Sequence, residues 1–291
     1  MELNAQQFAF VADLVKREAA IVLAPGKEYL VESRLLPLAR KSGHADTASL
    51  VQAVQSGKSP DLRQSLVEAL TINETSWFRD QEPYLALKSV VLPAVLESAG
   101  PARPLRIWSA ACSSGQEPYS IAMKLEESLP PGRAYDITAS DLSSEMVNRA
   151  QTGKYSQLEV NRGLPASLLV SHFDRAGLDW QIKPALRRNI TFRRINLANP
   201  LPPMQPFDVI FLRNVLIYFD VETKRQILRR MRALMRPGGW LLLGSAETTM
   251  GIDSAFQRVP VGRTAVYRLA GGESPDAATT SLKGVTTCAP S

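Results

Sequence analysis

Two short stretches concentrate residues suited to holding a nucleoside. The first, Ser109-Ala-Ala-Cys-Ser-Ser-Gly-Gln-Glu117, follows the apolar run Leu105-Arg-Ile-Trp-Ser-Ala110. Small side chains let the backbone approach a ligand closely, and the helix expected from Pro118 offers unpaired N–H groups at its start. It is not a glycine-rich dinucleotide fingerprint, because Gly115 is its only glycine. The second stretch begins at Asp141, about two dozen residues on, where nucleotide-binding sheets place an acid that accepts hydrogen bonds from ribose hydroxyls. Helix capping is an equal alternative for Asp141, and Ser143 would serve that purpose too. Together the two loops point to a nucleoside without saying which one.

Loops of this kind need a sheet behind them. From residue 105 strands alternate with helices: strands at 105–110, 135–140, 191–195, 207–212 and 240–244, a helix at 143–152, and a helix capped by Asp220. In that last helix Ile227, Leu228, Met231, Leu234 and Met235 form one stripe, and Pro237-Gly-Gly239 closes it. Such alternation implies an α/β fold with a mostly parallel sheet, whose ligands bind beyond the carboxyl ends of its strands. Thr264–Arg268 is expected as a final, antiparallel strand. The stretch from about 155 to 188 is too long for a plain crossover and reads as an inserted helix plus a small antiparallel hairpin. Ahead of the sheet, residues 1–70 read as a small all-helical domain: a helix capped by Asn4, a second at 28–41, a third capped by Asp46 or Thr47, and a fourth from Pro60. Residues 71–270 form the second domain, and the polar tail 271–291 is expected to be disordered.

Composition narrows the classes. The chain has 291 residues, 45% of them hydrophobic, and no apolar run long enough to span a bilayer or order of residues typical of a secretory signal. With only Cys112 and Cys288, a disulfide framework is not expected, and a cytoplasmic protein is. The net charge of +6 invites a nucleic-acid reading, but the basic residues are scattered and no nucleic-acid-binding motif is present. Lys224, Arg225, Arg229, Arg230 and Arg232 read as the solvated face of their helix. Trp77, Phe78 and Trp108 read as core anchors, and Cys112 as a small buried filler. His44 and His172 lack metal-ligand spacing, so no metal is assigned.

Two further segments carry a resemblance: Leu70-Thr-Ile-Asn-Glu-Thr-Ser-Trp-Phe-Arg-Asp80 and Phe211-Leu-Arg-Asn-Val-Leu-Ile-Tyr-Phe-Asp220. Together with the loop running through Glu117-Pro-Tyr-Ser120 and with Ala139-Ser-Asp141, they closely resemble the CheR-type chemotaxis receptor methyltransferases, from the N-terminal helices to about Leu269. The resemblance implies a Rossmann-like class I methyltransferase domain that uses S-adenosylmethionine and releases S-adenosylhomocysteine. It further implies the small helical N-terminal domain and an inserted antiparallel β-subdomain. The implied reaction is methylation of glutamate carboxylates on the cytoplasmic helical bundle of methyl-accepting chemotaxis receptors. The rival readings are a methyltransferase acting on another protein, a nucleic acid or a small molecule, and a non-catalytic scaffold that kept the fold.

Residue by residue, the resemblance assigns Asn73, Thr75 and Arg79 to a cofactor-contacting segment and Glu117 to a position facing the cofactor, where a carboxylate suits its ammonium group. It makes Asp141 the ribose acid, sets Asn196 and Leu197 beside the adenine, and sets Arg213, Asn214 and Val215 beside the sulfonium. Arg79 and Tyr218 are the candidates to position the acceptor carboxylate; alternatively Arg79 is an ion-pair partner of Asp80 or Glu82. The family's basic second helix is matched by Arg34, Arg40 and Lys41, but Pro37 falls among them and is expected to kink or break that helix. The segment Phe173–Trp180 looks short for a receptor-tail peptide loop, so a peptide-independent enzyme is expected; a monomer is expected as well.

Overall fold

The computed structural model describes residues 3–24 and 26–270, so the tail expected to be disordered, with Cys288, lies outside the described residues. Four helices come first: α1 (Ala5–Ala19), α2 (Glu28–Lys41), α3 (Thr47–Gln55) and α4 (Pro60–Ala69). Their starts follow local chemistry. Asn4 accepts from Gln7 N at 2.9 Å while the Gln7 side chain accepts from Asn4 N. Asp46 accepts from Ser49 N at 2.8 Å, and this bond leads the causes that hold its carboxyl down at about 2. Val11, Leu14, Val15, Val31, Leu35, Leu50, Val51 and Leu66 give the four helices a core of their own. Of the kink or break expected at Pro37, the break does not occur: α2 is continuous to Lys41. Val31, Leu35 and Ala39 are buried on one stripe, while the proline ring faces solvent, so packing on the far side carries the helix past it.

The remainder is built on a seven-stranded sheet. After α5 (Glu82–Ala86) and α6 (Leu92–Ala99), joined by a π-helical turn, come β1 (Leu105–Ala110), α7 (Gln116–Ser128), β2 (Tyr135–Asp141) and α8 (Ser144–Thr152). An insertion follows: β3 (Lys154–Tyr155), α9 (Gln157–Val160), α10 (Ala166–His172), β4 (Phe173–Ala176), β5 (Asp179–Ile182) and α11 (Pro184–Arg187). The chain returns through β6 (Ile190–Arg194), β7 (Phe207–Leu212), a 3₁₀ turn at Leu216–Tyr218, α12 (Val221–Ala233), β8 (Met235–Leu243), β9 (Phe256–Val261) and β10 (Thr264–Leu269). The sheet order is β6-β2-β1-β7-β8-β10-β9, with β10 antiparallel to both its neighbours. Strand order reverses between β1 and β7, the place where open α/β sheets bind ligands. Strand β8 starts at Met235 rather than Trp240; its pairing with β7 shifts register across Pro237-Gly-Gly239, so residues that read as a helix stop sit inside an irregular strand.

Alternate residues of the strands feed two cores. Ile107, Val209 and Leu242 face one side with α7, and Trp108, Ile210 and Leu241 face the other with Ile227, Leu228 and Met231 of α12. The insertion forms a separate antiparallel sheet, β3-β5-β4, with Gly177 in the left-handed region at its hairpin turn. Tyr155 and Phe173 of this sheet meet Trp77 edge-on, with ring centroids 4.9 and 5.4 Å away. Trp77, Phe78, Trp108 and Cys112 are all buried, as read from the sequence.

Candidate active site

The loops after β1, β2, β6 and β7 open onto one cavity of about 880 Å³, counted out to its mouth. Residues 71–76 with Arg79, and Ala19 and Ile21 beside α1, close it from the other side. Asn73, Thr75, Arg79, Glu117, Asp141, Asn196, Leu197, Arg213, Asn214, Val215 and Tyr218 all line it. Arg34, Arg40 and Lys41 do not. Arg34 and Lys41 border a separate groove between α2, α4 and α8, Arg40 is exposed, and Arg34 donates to Leu70 O at 3.1 Å.

Every non-glycine residue with φ in the left-handed region, among the described residues, lines this cavity or adjoins a residue that does: Ala20, Phe78, Asp80, Ala111, Ser113 and Asn214. Strain of this kind persists only where surrounding bonds impose it, and it clusters at binding sites. At the β1 loop, Cys112 N donates to Ser140 O at 2.8 Å and Ser113 Oγ to Asn73 O at 2.7 Å. Gly115 has φ +98°, and a Cβ there would lie 2.8 Å from the Ala150 Cβ and 2.9 Å from the Tyr155 hydroxyl. The loop must therefore be small at this point.

Asp141 accepts from Ser113 N at 2.8 Å and from Ser143 N at 3.0 Å, one bond to each oxygen. Capping of α8 falls to Ser143, whose hydroxyl accepts from Met146 N. Burial raises the Asp141 pKa, against the pull of those backbone N–H groups. Each oxygen keeps acceptor capacity.

Glu117 is also buried. Ser109 Oγ donates to it at 2.8 Å and Arg213 Nη1 at 3.0 Å. Burial pushes this carboxyl up, opposed by Arg213. The Arg213 side chain is 1% exposed; its Nη2 donates to Asp80 Oδ2 at 2.9 Å and to Arg79 O at 2.6 Å. Burial works against its charge, but the Glu117 and Asp80 carboxylates around it keep the guanidinium protonated.

Arg79 pairs with neither neighbouring acid. Asp80 is held by Arg213 and Glu82 by Arg263, while Arg79 Nη1 donates to Glu74 O at 2.8 Å. Tyr218 lies near it: burial raises the phenol's pKa, and the charges of Arg79 and Arg34 act against the rise. Asn196 Nδ2 donates to Glu18 O at 2.6 Å, tying the β6 loop to α1.

Glu247, which has no signal in the sequence, and Arg230, which reads there as a solvated charge, shape the cavity from behind. Glu247 accepts from Asn214 N, Val215 N, Leu216 N and Gly244 N at 2.7–2.8 Å. Arg230 donates to Leu197 O and Ala198 O, each at 3.0 Å. Arg230 is thus a loop anchor and not part of a merely solvated face, and Arg232 likewise pairs with Asp253 at 3.3 Å.

The cavity fits S-adenosylmethionine. Leu142, Ile195, Leu197 and Phe219 offer apolar surface for a flat base, and Asp141 offers acceptor capacity for a diol. Glu117 brings an acid for an ammonium, and Arg213 Nε is a buried donor without a partner, suited to a carboxylate. Sheet order, antiparallel terminal pair and cavity together define a class I S-adenosylmethionine-dependent methyltransferase. Residues 73–265 match the family described as CheR methyltransferase, SAM binding domain, and residues 6–71 its all-alpha domain. The chain belongs to the CheR methyltransferase family. It is 42% identical over 262 residues to chemotaxis protein methyltransferase 1 of Pseudomonas aeruginosa, covering 87% of this chain and 94% of that one. It is 39% identical over 272 residues to the chemotaxis protein methyltransferase of Vibrio parahaemolyticus, covering 92% and 98%.

Proposed function

We propose that this enzyme methylates glutamate side-chain carboxylates of methyl-accepting chemotaxis receptors, forming methyl esters. The observation that carries the proposal is the pairing of Arg79 and Tyr218 at the cavity. The guanidinium is not spent on Asp80 or Glu82, and the phenol is kept protonated. Two donors side by side suit an anionic acceptor. Neither His44 nor His172 lines the cavity, and an acceptor carboxylate needs no base, being ionised at pH 7 with a reference pKa of about 4.3.

S-adenosylmethionine, when bound, supplies a methyl group already activated by the sulfonium charge. In this proposal Asp141 holds the ribose, Glu117 and Arg213 the amino and carboxyl groups, and Asn196 and Leu197 flank the base. Asn73 and Thr75 close the segment over it, and Arg213, Asn214 and Val215 form the wall beside the reacting centre. The protein's remaining task is alignment and removal of water from the acceptor. Arg79 uses one of its five N–H donors on Glu74 O and keeps the others for the acceptor. Tyr218 donates one more bond. The grip is loose enough to leave the carboxylate nucleophilic.

Labelled S-adenosylmethionine incubated with receptor-containing membranes tests this. Label on receptor bands that leaves as methanol in mild alkali is expected. Alkali-stable label would mean a nitrogen or nucleic-acid acceptor, and no label despite cofactor binding would mean a silent scaffold. Within the same proposal the enzyme is a cytoplasmic monomer, and α2 docks on the receptor through Arg34, Arg40 and Lys41. Capture of a receptor-tail peptide is not required, since β4 and β5 are joined by only Gly177 and Leu178. Specific binding of a receptor-tail pentapeptide in a calorimetric titration would overturn that last point. Among the described residues no helix is long and apolar enough to cross a membrane.

A further inference from the structure

We infer that Glu247 is a positioning residue for methyl transfer: it turns the loop after β7 into a wall of acceptors facing a cationic methyl donor. Each carboxylate oxygen takes two backbone N–H groups. Oε2 accepts from Asn214 N and Gly244 N, both at 2.7 Å, and Oε1 from Val215 N at 2.8 Å and Leu216 N at 2.7 Å. Three consecutive amides of the cavity loop are therefore committed to one side chain. A trans peptide unit sets its C=O opposite its N–H, and no cis bond occurs among the described residues, so the carbonyls of Arg213 and Asn214 face away from Glu247. The loop has no free N–H at these positions to offer the cavity. A stretch of backbone that presents carbonyls and no free N–H suits a sulfonium.

The surroundings are built for this acid. Asn214 sits at φ +56°, a conformation that an ordinary residue keeps only under constraint, and the Glu247 bond to its N–H supplies one. Gly244 leaves the room: a Cβ there would lie 2.7 Å from Glu247 Oε2, 2.7 Å from Asn214 Nδ2 and 2.9 Å from Asn214 N. Tyr218 follows two residues after the last clamped amide and is tied back by Tyr218 N to Val215 O at 3.2 Å, so the clamp also sets the start of the turn that carries its hydroxyl.

The inference rests on the Asn214–Val215 loop facing the methyl donor, as proposed above, and not on the identity of the acceptor. Glu247→Gln is the informative variant. It keeps size, but its amide NH₂ must face two N–H donors in either orientation, whereas Glu247→Asp keeps both acceptor oxygens. Calorimetry with S-adenosylmethionine and with S-adenosylhomocysteine is expected to show Glu247→Gln weakening the cationic donor several-fold more than the neutral product. A purely structural role would weaken both alike. Amide hydrogen exchange of Asn214, Val215 and Leu216 is expected to accelerate at least about ten-fold in the same variant. Where wild-type enzyme forms methyl esters, Glu247→Gln should lower kcat about 100-fold, as displacement on the order of 1 Å does, with Glu247→Asp less affected. Unchanged exchange, equal weakening of both ligands, or Gln tolerated better than Asp would overturn the inference. Failure of the wild type to form esters would overturn the receptor proposal alone, leaving binding and exchange to decide this one.

Discussion

The cavity has two walls held in different ways. The wall at the strand ends rests on buried and half-buried charge: Arg213 between Glu117 and Asp80, Asp141 on two amides, Glu247 on four. Hydrogen bonds to charged groups contribute about 1.5–3 kcal/mol each. The opposite wall, formed by the helical bundle and residues 71–80, is attached more lightly. Ser113 Oγ meets Asn73 O, Asn196 meets Glu18 O, and Trp77 N meets Arg162 O, neutral bonds worth about 0.5–1.5 kcal/mol each. Three acids are the charged exceptions: Glu68 accepts from Ser144 N at 2.9 Å and from Arg194 Nε at 3.1 Å, Asp80 from Arg213 Nη2 at 2.9 Å, and the exposed Glu74 from Arg162 Nη2 at 3.1 Å. Rigidity is thus concentrated where a small cofactor must be oriented. The lighter contacts lie on the side where the proposed acceptor would approach Arg79 and Tyr218.

The sharpest way to break this contrast is to remove the buried cation. Arg213→Met should cost about 3–5 kcal/mol in urea unfolding, because Glu117 is left as an unpaired buried acid. The sign with pH follows from Glu117 being raised already: without Arg213 it rises further, so the folded state keeps a proton that the unfolded state has released. The deficit therefore grows as pH rises from the ordinary carboxylate range and shrinks on acidification. A loss below about 1 kcal/mol would mean that the ion pair does not hold the wall. On the lighter wall, Arg79→Ala should lower kcat by roughly 100-fold while S-adenosylhomocysteine affinity changes little. Near-normal turnover would end the positioning role.

Much of this was legible in the sequence, and the gaps have physical causes. The loops after β1 and β7, the Asp141 turn and the 70–80 segment carry residue types with a local meaning, and their residues meet at one cavity. Glu247 has none: in Gly244-Ser-Ala-Glu247 its meaning arises only when the end of β8 folds beside the β7 loop. Arg230 lies on the polar side of α12, where an anchor and a solvated charge look alike until the β6 loop packs beneath it. The edge strand β9 contains Pro260, which argues against a strand everywhere except at an edge. Pro37 does not end its helix, because a buried stripe can outweigh a local breaker.

A smaller effect sharpens the electrostatics of the rigid wall. Burial raises Asp141, so its ionised form, the acceptor for ribose hydroxyls in the proposed binding mode, is lost on acidification above the ordinary value for an aspartate. S-adenosylhomocysteine affinity should weaken as pH falls through that raised pKa. Asp141→Asn should bind more weakly throughout and flatten the acid limb; an unchanged acid limb would take the role from Asp141.

The smallest effect on the enzyme itself lies farthest from the buried network. Arg40 and Lys41 end α2 on the exposed surface, and neither lines the cavity. Replacing both with Gln should change unfolding free energy by no more than about 0.5 kcal/mol per site, as surface substitutions do. Cofactor affinity and kcat at saturating acceptor should stay at wild-type values, since no contact of the strand-end wall is touched. If α2 docks on acidic receptor helices, KM for receptor should nevertheless rise, and the wild type's sensitivity of KM to salt should diminish in the double variant, because screening acts on the charges removed. An unchanged KM with unchanged salt dependence would move receptor docking off this face. A fall in kcat instead would mean that the bundle and the strand-end wall are coupled more tightly than their bonds indicate.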